Sequence, residues 1–468
     1  MKNKLSVLIT LMLGTSMAAI DSSIVNVSLP IIRKEFNAEL SGVEWVITAY
    51  MISFCLFIPL TNWLKKRIGY FNLFIGAVII FTIGSLLCSI STSLNMLVIA
   101  RVVQAIGGGA ISPTSLAILS ENYPPEQRGS AIGWWGIGNV MGPAIGPTLG
   151  GLLTHYFGWE SIFYVNVPIG ILVIFMTMRH LGFLKAQSRF HTKFDVVGYV
   201  YFAVFVVAIQ FTVSAISDYG FPSWQLPAGV AATCTALYLF IRSAKKPDSL
   251  LDLSVFKLAV FNKAAIVIVI RSLALYGGMF FLPFLLQGLL GYSAFQSGLI
   301  LLPNALMMLV SRPFAGRMAD RGKIRNTSIT GIIIVACSFI LFSQIDVGAS
   351  LLAIILPMVI RGLGMSLLVS PVSTALLNAV SIEQTATATS MNSLLQQFGG
   401  SIGIAVSGVI HAFIYNYYLN NKYGETISEH FALQDSFLLS GFVILLAIIP
   451  ALKLPQKPVV KIQKTVAS

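Results

Sequence analysis

Charge is scarce in this chain: 10% of its 468 residues are Asp, Glu, Lys or Arg, against about 25% in ordinary soluble domains. That excludes a water-soluble fold of this length. Acid is scarcer than base, with 17 Asp and Glu against 30 Lys and Arg. The net charge of +13 does not point to nucleic acid, because no soluble domain gathers it. Cysteine is limited to Cys55, Cys88, Cys234 and Cys337, with no C-x-x-C pair, so neither a disulfide framework nor a zinc site is indicated. His155, His180, His191 and His430 fall in or near loops, and His411 stands alone at a span end; they build no metal cluster. A phosphate-binding G-x-x-x-x-G-K-[ST], an H-E-x-x-H and a nucleophile–base constellation are all missing. No catalytic residue, metal or cofactor is therefore expected, and the chain does not read as an enzyme.

What is present is apolar sequence, 56% of all residues, arranged in recurrent runs between short polar loops. This is the pattern of a polytopic helical membrane protein. Fourteen spans are expected, at 5–29, 44–64, 72–91, 96–118, 131–153, 162–179, 196–216, 225–243, 261–286, 296–315, 327–345, 350–378, 388–414 and 434–454. The start resembles a signal peptide, but the apolar pattern runs on through Ile24 to Ile32, so it reads as an uncleaved first span. With both termini in the cytoplasm, most Lys and Arg fall on the cytoplasmic side, as the positive-inside rule requires. Arg242, Lys245 and Lys246 form a basic stretch suited to topology anchoring or to anionic headgroups.

Two parts of the chain repeat. The loop after span 2, Asn62 to Gly69 with Lys66 and Arg67, matches the loop after span 10, Gly316 to Lys323 with Asp320 and Arg321. Ser112-Pro113 with Ser115 in span 4 matches Ser370-Pro371 with Ser373 in span 12. Two parallel six-span halves are expected, 1–180 and 261–468, with an inserted pair at 181–260. A midplane site between such halves is a recurrent transporter architecture.

Away from the span ends, one acidic residue lies within a span. Asp21 is about 24 Å from the cytoplasmic face and Arg101 about 7 Å from the outer face at 1.5 Å per residue. In a core about 30 Å thick these are nearly the same level. Gln104 follows one turn below Arg101. A buried carboxylate beside a guanidinium exchanges a proton if conformational change alters their separation or hydration; the alternative is a structural ion pair. In span 5, Gly138, Gly142, Gly146 and Gly150 form one helical stripe, with Gly151 beside it and with Pro143 and Pro147 adding kinks. A packing face explains the stripe; four glycines with two prolines favour a bending or leak-sealing role.

In this order the motifs resemble the fourteen-span drug:proton antiporters of the major facilitator superfamily, the multidrug resistance protein B type. They are Ala19-Ile-Asp21 to Asn26 and Pro30, Glu44-Trp45 to Tyr50, Arg101 to Gly108, the Gly/Pro stripe, and Trp159 to Asn166, Pro168 and Gly170. The resemblance implies an all-α major facilitator fold with two six-helix bundles and two inserted helices. It implies alternating access driven by the proton gradient, a place in the cytoplasmic membrane, and amphipathic organic substrates. A periplasmic adaptor and outer-membrane channel would join in a double-membraned host. It also places spans 1 and 4 side by side and gives a cytoplasmic gate to Lys66, Arg67, Gly69, Gly316, Asp320 and Arg321. The usual acid is replaced by Lys66 in the first loop, so a carboxylate–arginine latch should depend on Asp320.

For substrate, Arg271 and Arg361 lie near the midplane without an expected acidic partner. Asn26, Tyr276, Phe280, Phe284, Asn304, Gln396 and Gln397 complete the candidate cavity. Three arginines to one aspartate within spans favour neutral, zwitterionic or anionic amphipaths. A dedicated exporter of a lipid, fatty acid or siderophore-like metabolite competes with a multidrug pump, and a non-transporting receptor or sensor is a third reading.

Overall fold

The computed structural model describes residues 4–38, 40–186, 194–219, 224–244, 249 and 251–456. His191, Lys245 and Lys246 lie outside them, and the side chains of Asn26, Pro30, Glu44, Pro143 and Pro147 are also outside the description. The described chain is helical. The first part comprises α1 (Lys4–Glu35), α2 (Leu40–Phe57), α3 (Leu60–Ser89), α4 (Leu94–Asn122), α5 (Pro125–Phe157), the short α6 (Ser161–Tyr164) and α7 (Asn166–His180). Next come α8 (Val196–Tyr219) and α9 (Gln225–Ser243). The last part holds α10 (Ala259–Pro283), α11 (Ala294–Asp320), α12 (Ile324–Phe342), α13 (Leu351–Asn378), α14 (Thr385–Asn420), α15 (Glu425–Leu445) and α16 (Ile448–Ala451).

The expected spans overlap helices, but 44–64 crosses from α2 into α3, and the expected number of fourteen is not established. Among the described residues, eleven helices are long and apolar enough to cross a bilayer, and Trp45–Phe57 and Val196–Thr212 form shorter apolar helices. Hydrocarbon forces this outcome, since every backbone polar group must find its partner within the segment. Side-chain caps mark several starts. Ser93 accepts the amide of Met96 at α4, Ser350 that of Ala353 at α13, and Ser293 with Gln296 forms a capping box at α11. Gly69, with φ of +77°, breaks α3 where its basic leading turn meets the apolar body, a conformation natural to glycine.

Helix α5 is the axis of the assembly, packed along α1 on one side and α11 on the other, while α3 lies on α4 and α10 on α14. Helix α9 pairs with α8, and α8 touches α2 and α14. Small residues permit the closest approaches. A Cβ on Gly84 would stand 2.6 Å from the Gln104 amide nitrogen, and one on Gly107 would stand 2.5 Å from that of Phe81, so α3 and α4 nearly touch through their backbones.

Candidate functional site

Helices α1, α4 and α7 deliver polar side chains to one buried point. Asp21 is fully buried and Arg101 is 1% exposed. Arg101 Nη1 meets Asp21 Oδ2 at 2.6 Å and also donates to Gln104 Oε1. Gln104 Nε2 donates to Asp21 Oδ1 at 2.8 Å and to Ser85 Oγ at 2.6 Å. Asn166 Nδ2 donates to Asp21 Oδ1 at 2.8 Å. The carboxylate thus accepts from three side chains, as a buried charge demands. Ser85 reaches the site because Gly84, beside it, lets α3 close on α4 at Gln104.

Arg101 also joins the site to α2. Its Nε donates to the Val46 carbonyl at 3.3 Å, and its guanidinium carbon lies 3.9 Å from the centroid of the Tyr50 ring. The Tyr50 hydroxyl is buried without a hydrogen-bond partner, as is Asn166 Oδ1. The sequence reading named Asp21, Arg101 and Gln104 but left Asn166, Ser85 and Tyr50 out of the site. Asn166 lies only about 6 Å into its expected span, against about 7 Å for Arg101 from the same face, a level match that would have placed it here.

The glycines of α5 face α1. A Cβ on Gly138 would meet the Met12 carbonyl oxygen at 2.8 Å, one on Gly142 the Ala19 carbonyl, one on Gly146 the Ser23 hydroxyl, and one on Gly150 Ile24 Cγ1 at 2.8 Å. Ser23 Oγ donates to the Gly142 carbonyl at 2.7 Å. Helix α5 is helical throughout from Pro125 to Phe157, so the stripe forms a tight seam against α1; Gly151 lies half-buried beside it.

The expected gate residues gather at the end of the bundle that carries the basic loops. Asp320 Oδ1 and Oδ2 accept the backbone amides of Gly129 and Ser130 at 2.7 and 2.8 Å. The anticipated carboxylate–arginine latch is therefore corrected: among the described residues Asp320 pairs with no arginine and instead accepts two amides in the second turn of α5, near that helix's positive end. A Cβ on Gly129 would stand 2.6 Å from the Gly316 carbonyl oxygen. Nearby, Arg128 Nη1 donates to Asn378 Oδ1 at 2.6 Å, and Asn62 Nδ2 donates to Thr387 Oγ1 at 3.0 Å. Arg67 stacks over Trp63, while Lys66 and Arg321 are exposed. Lys66 acts at longer range on Asp252, in the loop before α10. Burial pushes the Asp252 carboxyl up, but hydrogen bonds from Ser254 and Gln384, together with Lys66, outweigh it and hold it below the usual carboxylate range.

The expected substrate residues divide. Arg271 and Arg361 are buried, at 2% and 1% exposure. Arg361 Nη2 donates to the Leu275 carbonyl at 3.1 Å, and its guanidinium faces the Phe339 ring, which makes it a brace among α10, α12 and α13. Tyr276 and Phe284 are exposed, and the Phe280 ring meets that of Phe284 at a tilt with centroids 5.2 Å apart. Asn304 lies against α13, its carbonyl oxygen close to Gly362, while Gln396 and Gln397 are half-buried on α14. The tally of three arginines within spans is also corrected. Arg312 of α11, placed by sequence at the loop end of its span, is 7% exposed and donates through Nη1 to the Gly136 carbonyl of α5. Among the described residues, four buried arginines therefore stand against one buried aspartate.

Comparison with known proteins agrees with this architecture. The profile of the Major Facilitator Superfamily matches residues 11–404. The chain is 33% identical over 414 residues to the uncharacterized MFS-type transporter YhcA of Bacillus subtilis, covering 88% of this chain and 77% of that one. It is 31% identical over 402 residues to the multidrug export protein EmrB of Escherichia coli K12, covering 85% and 78%. It is 32% identical over 379 residues to the riboflavin transporter RibZ of Clostridioides difficile, covering 81% of each. The crystal structure of human MFSD10, an organic anion transporter, superposes with a TM-score of 0.66 over 94% of this chain and 99% of that one, at 15% identity, a likeness of fold alone. These relatives are transporters, not enzymes, and this multi-pass membrane protein belongs to the Major Facilitator Superfamily.

Proposed function

We propose that the chain exports amphipathic organic compounds across the cytoplasmic membrane in exchange for protons, with both termini in the cytoplasm. The observation that carries this reading is the fully buried Asp21, held by donors from Arg101, Gln104 and Asn166. A carboxylate kept from water at such cost is a natural proton carrier. The coupling follows from Arg101, which reaches Asp21 with Nη1 and the α2 carbonyl of Val46 with Nε. When Asp21 takes up a proton, the attraction across the pair falls and the guanidinium turns its charge towards Val46 and the Tyr50 ring. Protonation thereby alters how α1, α4 and α2 hold together, and α2 packs against α8 and α4. In this reading the closed basic end is one of two access states, and export alternates between them. Multidrug export is supported by the likeness to EmrB.

The test is efflux from proteoliposomes with an imposed pH gradient. Asp21→Asn is expected to abolish gradient-driven accumulation while leaving substrate counterflow, which needs no proton. Full gradient-driven activity in Asp21→Asn would place proton coupling elsewhere. A second reading, transport of one metabolite, draws on the likeness to RibZ; riboflavin uptake or efflux in the same vesicles distinguishes it.

A further inference from the structure

Two buried cations in the second half interact electrostatically, with no acid paired to either among the described residues. Arg271 of α10 and Arg312 of α11 are 2% and 7% exposed. Arg271 Nη1 and Arg312 Nε are buried atoms without hydrogen-bond partners among the described residues. The ion pairs formed among those residues leave both arginines out. Measured along the helices from the basic end, Arg271 is about 18 Å and Arg312 about 12 Å deep, a gap that two long side chains can span. The two interact electrostatically with each other and with Tyr276. The Tyr276 ring lies against Gly400 of α14 and keeps 46% of its surface accessible.

An isolated buried guanidinium is costly, and two that repel each other are costlier still. Arg101 shows how this chain otherwise treats a buried arginine, with a carboxylate at 2.6 Å. Arg361 differs from the pair because its guanidinium faces the Phe339 ring and it does not join their electrostatic group, although its Nε too is buried without a partner among the described residues. Arg312 is fixed by the Gly136 carbonyl through Nη1, which leaves its Nε edge as a further donor. Tyr276 and Phe280 continue along α10 towards the other end of the bundle to Phe284, just past its last residue, and the Phe280 and Phe284 rings meet at a tilt.

We propose that Arg271 and Arg312, with Tyr276, form a binding site for the anionic group of an amphipathic organic anion, a carboxylate, sulfonate or phosphate, whose apolar body lies along Phe280 and Phe284. The bound anion supplies the countercharge that the protein withholds. Two guanidinium donors at one anion are the usual device for oxyanion recognition. This deepens the export reading by naming the substrate class, but it concerns binding and does not depend on Asp21.

The test uses two fluorescent probes with the same aromatic body, 8-anilinonaphthalene-1-sulfonate and the neutral N-phenyl-1-naphthylamine. Each is titrated into phosphatidylcholine nanodiscs of the full chain, with empty nanodiscs subtracted. Arg271→Gln is expected to weaken the sulfonate about tenfold or more while changing the neutral probe less than about twofold, and Arg271→Lys should fall between, since it keeps charge without the fork. Equal sulfonate affinity in native protein and Arg271→Gln overturns the proposal. Should Arg271→Gln fail to fold, displacement on the native protein decides: benzenesulfonate must compete with the fluorescent sulfonate, and failure to compete also overturns it. Nanodiscs doped with phosphatidylglycerol separate the source of the anion. Weakened sulfonate binding there, in native protein but not in Arg271→Gln, assigns the site to lipid phosphate; unchanged binding assigns it to the transported compound.

Discussion

Asn166 shows how much a single neutral residue can carry in a low-dielectric site. Its amide is one of three side-chain donors to Asp21, at 2.8 Å from Oδ1. A hydrogen bond to a charged group contributes about 1.5–3 kcal/mol, and each 1.4 kcal/mol is about tenfold in an equilibrium. Asn166→Ala is therefore expected to lower gradient-driven efflux by about tenfold, and Asn166→Asp, which sets a second carboxylate against the first, to abolish it. Vesicle efflux checks both, with gel-filtration profiles to confirm folding; native activity in Asn166→Ala would remove this residue from the mechanism. The meeting of Asp21 and Arg101 was legible because both are charged and depth can be counted along a helix. Asn166 was harder to see, since a neutral amide at a span end carries no penalty that sequence alone reveals. Arg312 escaped for a related reason. A basic residue near a span's cytoplasmic end is normally a topology anchor, and only the seam between α5 and α11 draws it inside.

At the level of elements, the informative contrast is between glycines that touch another helix and glycines that touch nothing. Gly142 of α5 leaves no room for a Cβ beside the Ala19 carbonyl of α1, whereas a Cβ on Gly76 of α3 meets nothing within 4 Å. Adding a methyl group at Gly142 must push α1 away and stretch the Ser23–Gly142 hydrogen bond, an overpacking cost of about 1–3 kcal/mol. The same change at Gly76 removes backbone entropy from the unfolded chain and stabilises by about 0.5–1 kcal/mol. Gly142→Ala should thus melt several degrees below Gly76→Ala in detergent, read by intrinsic fluorescence. Equal melting temperatures would mean that the seam is not under close contact. The stripe's spacing was readable in the sequence because a period of four marks one face of a helix. Its partner was not, because small residues state that a helix comes near without naming which one. The expectation of bending leaned on Pro143 and Pro147; what the glycines themselves display is a face packed on α1.

Across the whole molecule, contacts between the two parts of the chain join the basic end, and under the proposed alternating access they set how much of the protein is closed there. Asp320 takes the amides of Gly129 and Ser130, Arg128 reaches Asn378, and Asn62 reaches Thr387. The repeat between the two basic loops forecast that both would act at this end. It did not forecast that Asp320 would hold the second turn of α5, because backbone amides belong to every residue and leave no trace in side-chain sequence. Only interactions that differ between states shift an equilibrium. The Asp320 contact is such an interaction, since opening this end must part Gly129 from Gly316, whose backbones meet. A hydrogen bond to a charged group contributes about 1.5–3 kcal/mol, so Asp320→Ala should raise the open population by about tenfold or more. Asp320→Asn keeps one acceptor and should fall between. The readout is the thiol-labelling rate of Ser130→Cys in a background carrying Cys234→Ala and Cys337→Ala, the two exposed cysteines. Faster labelling with Asp320→Ala is the expected result. An unchanged rate would show that the clamp lies instead in the Arg128 and Asn62 contacts, and the shared fold would then be closed by side-chain pairs rather than by a carboxylate on a helix end.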